Sequence, residues 1–473
     1  MRDKELNRKA GIAGGWYAVA NVLSKGCVFL TLPVFTRVLS TNDFGIYNAY
    51  IAYEQILQAI MGMGLYGTVK NAKLDYGHKF EEYLSSALFL SVIWMLIIWM
   101  SGNAFYHQIA PFLGFSRFVT NCLILQSFGA YLISFYGAKL NIEFQYKSYM
   151  AISCFNTVVN IAVSILLILF AFPNERYLGR ILGSAFPLIL ISLFLCARIF
   201  ALGHTLFSRN YWKYALSIGM PLVPHALSQS LLSQFDRIMI RDMTGNAEAG
   251  IYSYIYTICT ITFVICSSFD NAWTPWVYMK LKSNRAEDIK KAGNYYALLF
   301  ASLTLCFICV MPEITKAIAD RSYWNGIDLL TPLALANYCI FLYMLPAGIE
   351  YYHKKTAYIS FGTVFAAVLN LALNRAAIGL WGYKAAAYTT LLSYLALFLL
   401  HWGFSRKLGF ETCYQLPVIM GISAALFAAS ALALLTYPFP VLGLLVRYSM
   451  TAAIACAFFM SRRFIVKIVK GND

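Results

Sequence analysis

The chain has 473 residues, 60% of them hydrophobic and only 12% charged, with 37 Lys and Arg against 21 Asp and Glu for a net charge of +16. Soluble domains carry about 25% charged residues, so this composition excludes a water-soluble globular protein. The basic excess does not indicate nucleic acid as a partner, because the Lys and Arg fall in short segments between apolar runs, where they orient membrane spans.

The apolar runs reach roughly 20 residues or more, the length of a helix crossing a hydrocarbon layer about 30 Å thick. The short alternating segments of a membrane β-barrel are absent. In chain order, fourteen predicted spans cover residues 14–38, 44–69, 84–104, 117–139, 148–172, 177–200, 212–235, 249–274, 293–312, 327–350, 357–379, 384–404, 416–436 and 441–461. The fold class is therefore an all-α polytopic membrane protein. One set of connecting segments comprises the N-terminus, 70–79, 139–147, 198–213, 280–291, 354–355, 406–407 and the C-terminus. It holds roughly two-thirds of the Lys and Arg, which places both termini in the cytoplasm. Met1–Lys9 is charged, but the helix after it is long and has no small-residue cleavage site, so a cleavable signal peptide is not expected. Of the 11 cysteines, Cys27, Cys122, Cys154, Cys259, Cys266 and Cys456 lie in apolar spans and read as small core residues. Cys306 and Cys309 form a Cys-x-x-Cys on an apolar helix with no second pair, which is not a metal or redox pattern.

Between the first two spans lies Thr36-Arg-Val-Leu-Ser-Thr-Asn-Asp-Phe-Gly-Ile-Tyr47. A second version, Asp236-Arg237-Ile-Met-Ile-Arg241 through Ala249-Gly250-Ile-Tyr252, follows between the seventh and eighth spans. Each copy has an Arg, a small polar turn, and Gly-Ile-Tyr opening the next helix. The copies stand about two hundred residues apart, a spacing that indicates an internal duplication. Residues 1–205 then form a lobe of helices 1–6, residues 206–405 a second lobe of helices 7–12, and residues 406–473 two additional helices. Six helices return the chain to its starting side, so the two copies of the turn share one membrane face, and the lobes are expected to superpose about an axis along the membrane normal. Pro33 in helix 1 and Pro221 and Pro224 in helix 7 lie where they kink or loosen equivalent spans.

The two turns, together with Lys354-Lys355-Thr356, Asn370-Leu-Ala-Leu-Asn374 and Gly382-Tyr-Lys-Ala-Ala-Ala387, occur in an order spanning nearly the whole chain. In this the sequence resembles the polysaccharide transporter family, which includes the Wzx-type O-antigen flippases, within the MATE-like multidrug/oligosaccharidyl-lipid/polysaccharide (MOP) exporter superfamily. The resemblance implies a bacterial cytoplasmic-membrane protein with a V-shaped central cavity. It would move undecaprenyl-diphosphate-linked oligosaccharide from the inner to the outer leaflet by alternating access. The partners implied are that lipid-linked substrate, membrane lipids, and a polysaccharide polymerase with its assembly proteins. A cation-coupled exporter of small molecules and a non-transporting scaffold for polysaccharide assembly remain alternatives.

No phosphate-binding loop, nucleophile elbow or metal cluster occurs, so neither catalysis nor a cofactor is expected; H+ or Na+ coupling, or the substrate gradient, supplies the energy. The informative residues are ionisable groups inside spans, each costing at least a few kcal/mol at mid-membrane unless paired or hydrated. Lys25 in helix 1 and Glu54 in helix 2 differ in depth by about 4.5 Å at the helical rise, close enough to pair across the hairpin. With Asp270 in helix 8 and His225 in helix 7 they are the cavity candidates for substrate or ion. The plain alternative is a static pair for Lys25 and Glu54, and an interhelical hydrogen bond for His225. Arg37, Asp236, Arg237 and Glu350 are gate or family-motif candidates. Asp236 and Arg237 are expected at the outer end of helix 7, and Glu350 beside lysine partners in His353-Lys354-Lys355. Tyr53, Tyr254 and Tyr256 are candidates to stack on sugar rings.

Overall fold

A computed structural model of the chain describes Gly26, Phe29 and residues 31–470, with backbone alone for residues 457–470. The described elements are all helices, with no strand among the described residues. Ten of them are long and apolar enough to cross a membrane, and residues 440–456 add a shorter apolar stretch. The chain packs as two compact units, Met1–Gly250 and Ile251–Asp473.

The first unit runs α1 (31–38), α2 (Thr41–Met61), α3 (Val69–Tyr76), α4 (Phe80–Ala104), α5 (Tyr106–Leu113), α6 (Arg117–Ile142), α7 (Tyr146–Leu166), α8 (Arg176–Gly203), α9 (Arg209–Gly219), α10 (Val223–Met243) and the first turn of α11 (Asn246–Lys282). The polar turn of the sequence repeat is a helix junction. Ser40 caps α2: its Oγ accepts from the Asp43 amide at 3.1 Å, and the Asp43 carboxylate accepts from the Ser40 amide at 3.3 Å. That reciprocal box satisfies donors a helix start leaves open. Arg176 closes the end of α1 by donating to the Val38 carbonyl at 2.7 Å.

Helix 2 is shorter than the expected 44–69. It stops at Met61, because Gly62, Met63 and Gly64 turn the chain, the last two at positive φ. Gly64 packs against the backbone of Gly219, so a side chain at Gly64 would both strain the backbone and collide. Helix 7 is also broken: α9 ends at Gly219, residues 220–222 form a tighter turn around Pro221, and α10 starts afresh. A missing N–H at Pro221 and Pro224 is the physical reason. Within this unit α2 packs along α10 and α6, and α8 lies against α4, α6 and α7. Lipid supplies no apolar driving force between helices, so close fit decides. Gly183 accordingly lies against Ser164 of α7, where a Cβ would overlap the serine.

The second unit runs from the body of α11 through α12 (Ala286–Ile318), α13 (Leu330–Tyr352), α14 (Thr356–Trp381), α15 (Ala385–Arg406), a single turn α16 (Phe410–Cys413), α17 (Leu416–Leu435) and α18 (Pro440–Lys470). Its core is aromatic, with Tyr338, Phe341, Phe398 and Phe410 essentially buried. α15 packs against both α13 and α14, while α12 carries α17 and α18. Arg447 of α18 fixes that attachment: it pairs with Glu313 of α12 and donates to the Cys309 carbonyl at 3.3 Å.

Candidate functional site

In the first unit the two copies of the repeated turn meet. A Cβ on Gly45 would overlap the backbone of Asn246 and Gly250, and one on Gly250 would overlap that of Thr41 and Gly45. Only glycine at both positions lets the first turns of α2 and α11 approach this closely. The opening turns of α2 and α11, each with a repeat glycine, therefore lie side by side.

The arginines preceding these motifs have parted in role. Arg37 is exposed at the end of α1, whereas the Arg241 side chain is only 9% exposed. Arg241 donates to the carbonyls of Leu113 at 2.8 Å and Phe112 at 3.3 Å, to the Tyr53 hydroxyl at 3.2 Å, and to Asp242. It also lies over the rings of Tyr53 and Phe115. Tyr53 thus gives its ring to Arg241 and donates its hydroxyl proton to Phe112. It is 5% exposed and offers no free face for a sugar, and Tyr254, fully buried against Tyr323, offers none either.

Glu54 sits one turn beyond Tyr50 on α2, 7% exposed, with no hydrogen bond or ion pair among the described residues. Its expected partner, Lys25, lies outside the described residues. Tyr50 donates to Gln126 at 2.9 Å, so the neighbouring turn of α2 is already occupied by a polar contact to α6. α2 and α10 carry many polar side chains, Glu54, Gln58, Gln234, Asp236 and Arg237 among them, and neither is among the ten most apolar spans. His225 is half-buried in the first turn of α10, directly after the break at Pro221. Asp236 and Arg237 are buried at 1% and 6% exposure. They do not sit at the end of helix 7 as expected, because α10 continues to Met243, about two turns further.

In the second unit Asp270 is half-exposed on α11 and accepts from the Thr274 hydroxyl at 3.0 Å. Glu350 does not pair with the lysines after it. Lys354 and Lys355 form the tight turn into α14, with Lys354 at φ +57° and the Lys355 amide donating to the Glu350 carbonyl, so their side chains leave the helix end. The Glu350 carboxylate faces His401 of α15 instead, both residues fully buried. Asn370 and Asn374 also face α15: Asn370 donates to Thr390 at 3.4 Å, and Thr389 donates to Asn374. Lys384, in the motif opening α15, pairs with Asp328 at 2.7 Å. Among the described residues no cluster of His, Cys, Asp and Glu forms a metal site.

Sequence reading alone missed His401, Arg180 and Arg447. His401 and Arg447 carried a signal, an ionisable residue inside an apolar run. Arg180, near the start of the predicted span 177–200, lies between the rings of Phe35 and Tyr47, at 4.2 and 4.4 Å, and donates to Asn160 and Ser164.

Comparison with known proteins matches this arrangement. Residues 13–279 fit the family model described as polysaccharide biosynthesis protein. The chain is 22% identical over 400 residues to the probable low-salt glycan biosynthesis flippase Agl15 of Haloferax volcanii, covering 81% of this chain and 80% of that protein. Its fold is similar to the lipid II flippase MurJ in an inward closed conformation, at a TM-score of 0.73 and 14% identity over 95% of this chain and 99% of that one. It is also similar to an inward-facing multidrug resistance MATE transporter of the MOP superfamily, at a TM-score of 0.64 and 14% identity over 81% and 94% of the two chains. The chain is a multi-pass membrane protein with the MOP-superfamily fold, and it belongs to the polysaccharide biosynthesis protein family.

Proposed function

We propose that this protein is a flippase that carries an undecaprenyl-diphosphate-linked oligosaccharide, of the O-antigen or capsule repeat type, from the cytoplasmic to the outer leaflet by alternating access. The observation that carries the reading is the membership of the polysaccharide biosynthesis protein family, joined to a fold similar to a lipid II flippase over 95% of the chain. Glu54 supports it from within. A buried carboxylate costs several kcal/mol unless a cation or proton accompanies it. Lys25, expected from the sequence at a similar depth in the preceding span, supplies that cation between encounters and meets the substrate diphosphate during them. His225, Asp270 and the Asp236–Arg237 pair are the further polar groups on the transport helices, and H+ or Na+ is the coupling ion. The site is a bacterial cytoplasmic membrane with both termini inside, where a polymerase and assembly proteins take up the product.

A second reading, a cation-coupled small-molecule exporter, draws on the likeness to the MATE transporter. One experiment separates them. In a strain lacking its own oligosaccharide flippase, the parent gene is expected to restore surface polysaccharide. No restoration, together with lowered accumulation of a cationic drug, would replace the first reading with the second.

A further inference from the structure

We propose that a saccharide subsite lies in the first unit, beside the Gly45–Gly250 crossing, and that it holds the glycan of the substrate, not its phosphates. This rests on the flippase reading. A cavity of about 540 Å³ opens there, between Ile46 of α2, the α5–α6 connection, the start of α8, and the α10–α11 turn. That volume is ordinary for a small-ligand site.

Its lining decides the ligand chemistry. Among the described residues the one cationic group lining the cavity is Arg241, whose guanidinium is already divided among Asp242, two carbonyls and the Tyr53 hydroxyl. The other charged groups are the Asp242 and Glu175 carboxylates, both exposed to the cavity. An entering phosphate would meet two negative charges and a cation with its donors engaged. A sugar finds a better match: carboxylates accept from hydroxyls, Asn246 and Tyr177 both give and take hydrogen bonds, and Ile46 and Leu178 supply an apolar surface. Arg241 acts here as a positioning residue. Its bonds to Phe112 and Leu113 hold the α5–α6 connection in place, where Gly114 at φ +70° turns beside the guanidinium. The loop charges assign this face to the outside, so the subsite would receive the glycan as it emerges.

The test uses the purified full-length protein in detergent. Maltotriose, chitotriose and glucosamine are the saccharide probes, followed by saturation-transfer NMR, and inorganic pyrophosphate is the competing anion. At least one saccharide is expected to bind. Glu175→Gln removes a charged acceptor and is expected to weaken binding about tenfold, the worth of one such hydrogen bond. Leu178→Trp fills the cavity from α8 and is expected to abolish binding. The proposal is overturned if no saccharide binds, if both folded variants bind like the parent, or if pyrophosphate displaces the sugar. Complementation keeps the two readings apart. A parent that restores polysaccharide but binds no saccharide here loses the subsite and keeps the flippase. A parent that binds saccharide here but restores none keeps the subsite and loses the flippase.

Discussion

Nδ1 of His401 lies 2.9 and 2.8 Å from the two carboxylate oxygens of Glu350, in a place where neither residue is exposed. The contact joins α13 to α15, and the opposite ring nitrogen of His401 lies against Gly362 of α14, where a Cβ would overlap it. One polar pair therefore aligns three helices. Removing one member of a buried hydrogen-bonded pair leaves the other unsatisfied and costs about 1–3 kcal/mol, whereas replacing both with apolar groups of similar shape is often nearly neutral. Glu350→Ala and His401→Ala are each expected to lower the melting temperature of the detergent-purified protein sharply. Glu350→Met with His401→Phe should recover much of the loss. Additive losses in that double variant would mean the contact contributes little.

Gly45 and Gly250 predict a second outcome. Their backbones are too close for any side chain, so Gly45→Ala and Gly250→Ala should each destabilise the protein by about 1–3 kcal/mol, as overpacking does. Gly421, with open space around the position of a Cβ, is the control: Gly421→Ala should be neutral or mildly stabilising, since it lies within α17. Thermal melts of the three variants side by side give the comparison.

Arg37 and Arg241 were equivalent in the sequence repeat, and the structure separates them. Lys keeps the charge but lacks the planar fork that reaches two carbonyls, a hydroxyl and a carboxylate together. Arg241→Lys should cost about 1–3 kcal/mol, from buried acceptors left unpaired. Arg37→Lys, on an exposed helix end, should stay within about 0.5 kcal/mol. Equal effects in denaturation melts would refute the distinction.

These cases show which features the sequence could carry. Helix positions were legible because a membrane span needs a long apolar run, and eleven of the predicted runs lie on single helices that the structure describes at similar bounds. The two matching turns were legible as a repeated motif, and the contact of Gly45 with Gly250 was not. The early stop of α2 was hidden, since Gly62-Met-Gly64 breaks the helix without interrupting the apolar pattern. The polar partnerships were hidden for a different reason. Glu350 and His401 are 51 residues apart, and Tyr53 and Arg241 are 188 apart. Local pattern cannot choose between such a partner and the lysines next door. Glu350 was accordingly assigned to Lys354 and Lys355, which the turn at φ +57° carries away.

The last prediction concerns Glu54 and Lys25. Glu54 is buried on α2 with no partner among the described residues, and the sequence count expects Lys25 at a similar depth in the span before it. A diphosphate cannot cross hydrocarbon unaided, so a flippase path needs positive charge at mid-depth, and Lys25 is the candidate, since Arg180 is already held by Asn160 and Ser164 and Arg447 by Glu313. Lys25→Ala should abolish restoration of surface polysaccharide in a flippase-deficient strain while protein levels stay near those of the parent, because a carboxyl that loses its cation can bind a proton instead. Lys25→Arg should keep part of the activity, since a cation remains with altered size and geometry. Glu54→Gln tests the other half. It leaves Lys25 charged without its counter-ion, so binding of the diphosphate should persist or tighten while turnover slows, the phosphate no longer being displaced by the carboxylate. Accumulation of lipid-linked oligosaccharide bound to the purified Glu54→Gln protein, measured by mass spectrometry against the parent, is the expected sign. If Lys25→Ala restores as much polysaccharide as the parent, the pair is structural and the diphosphate is met elsewhere, with the exposed Arg37 the next residue to change.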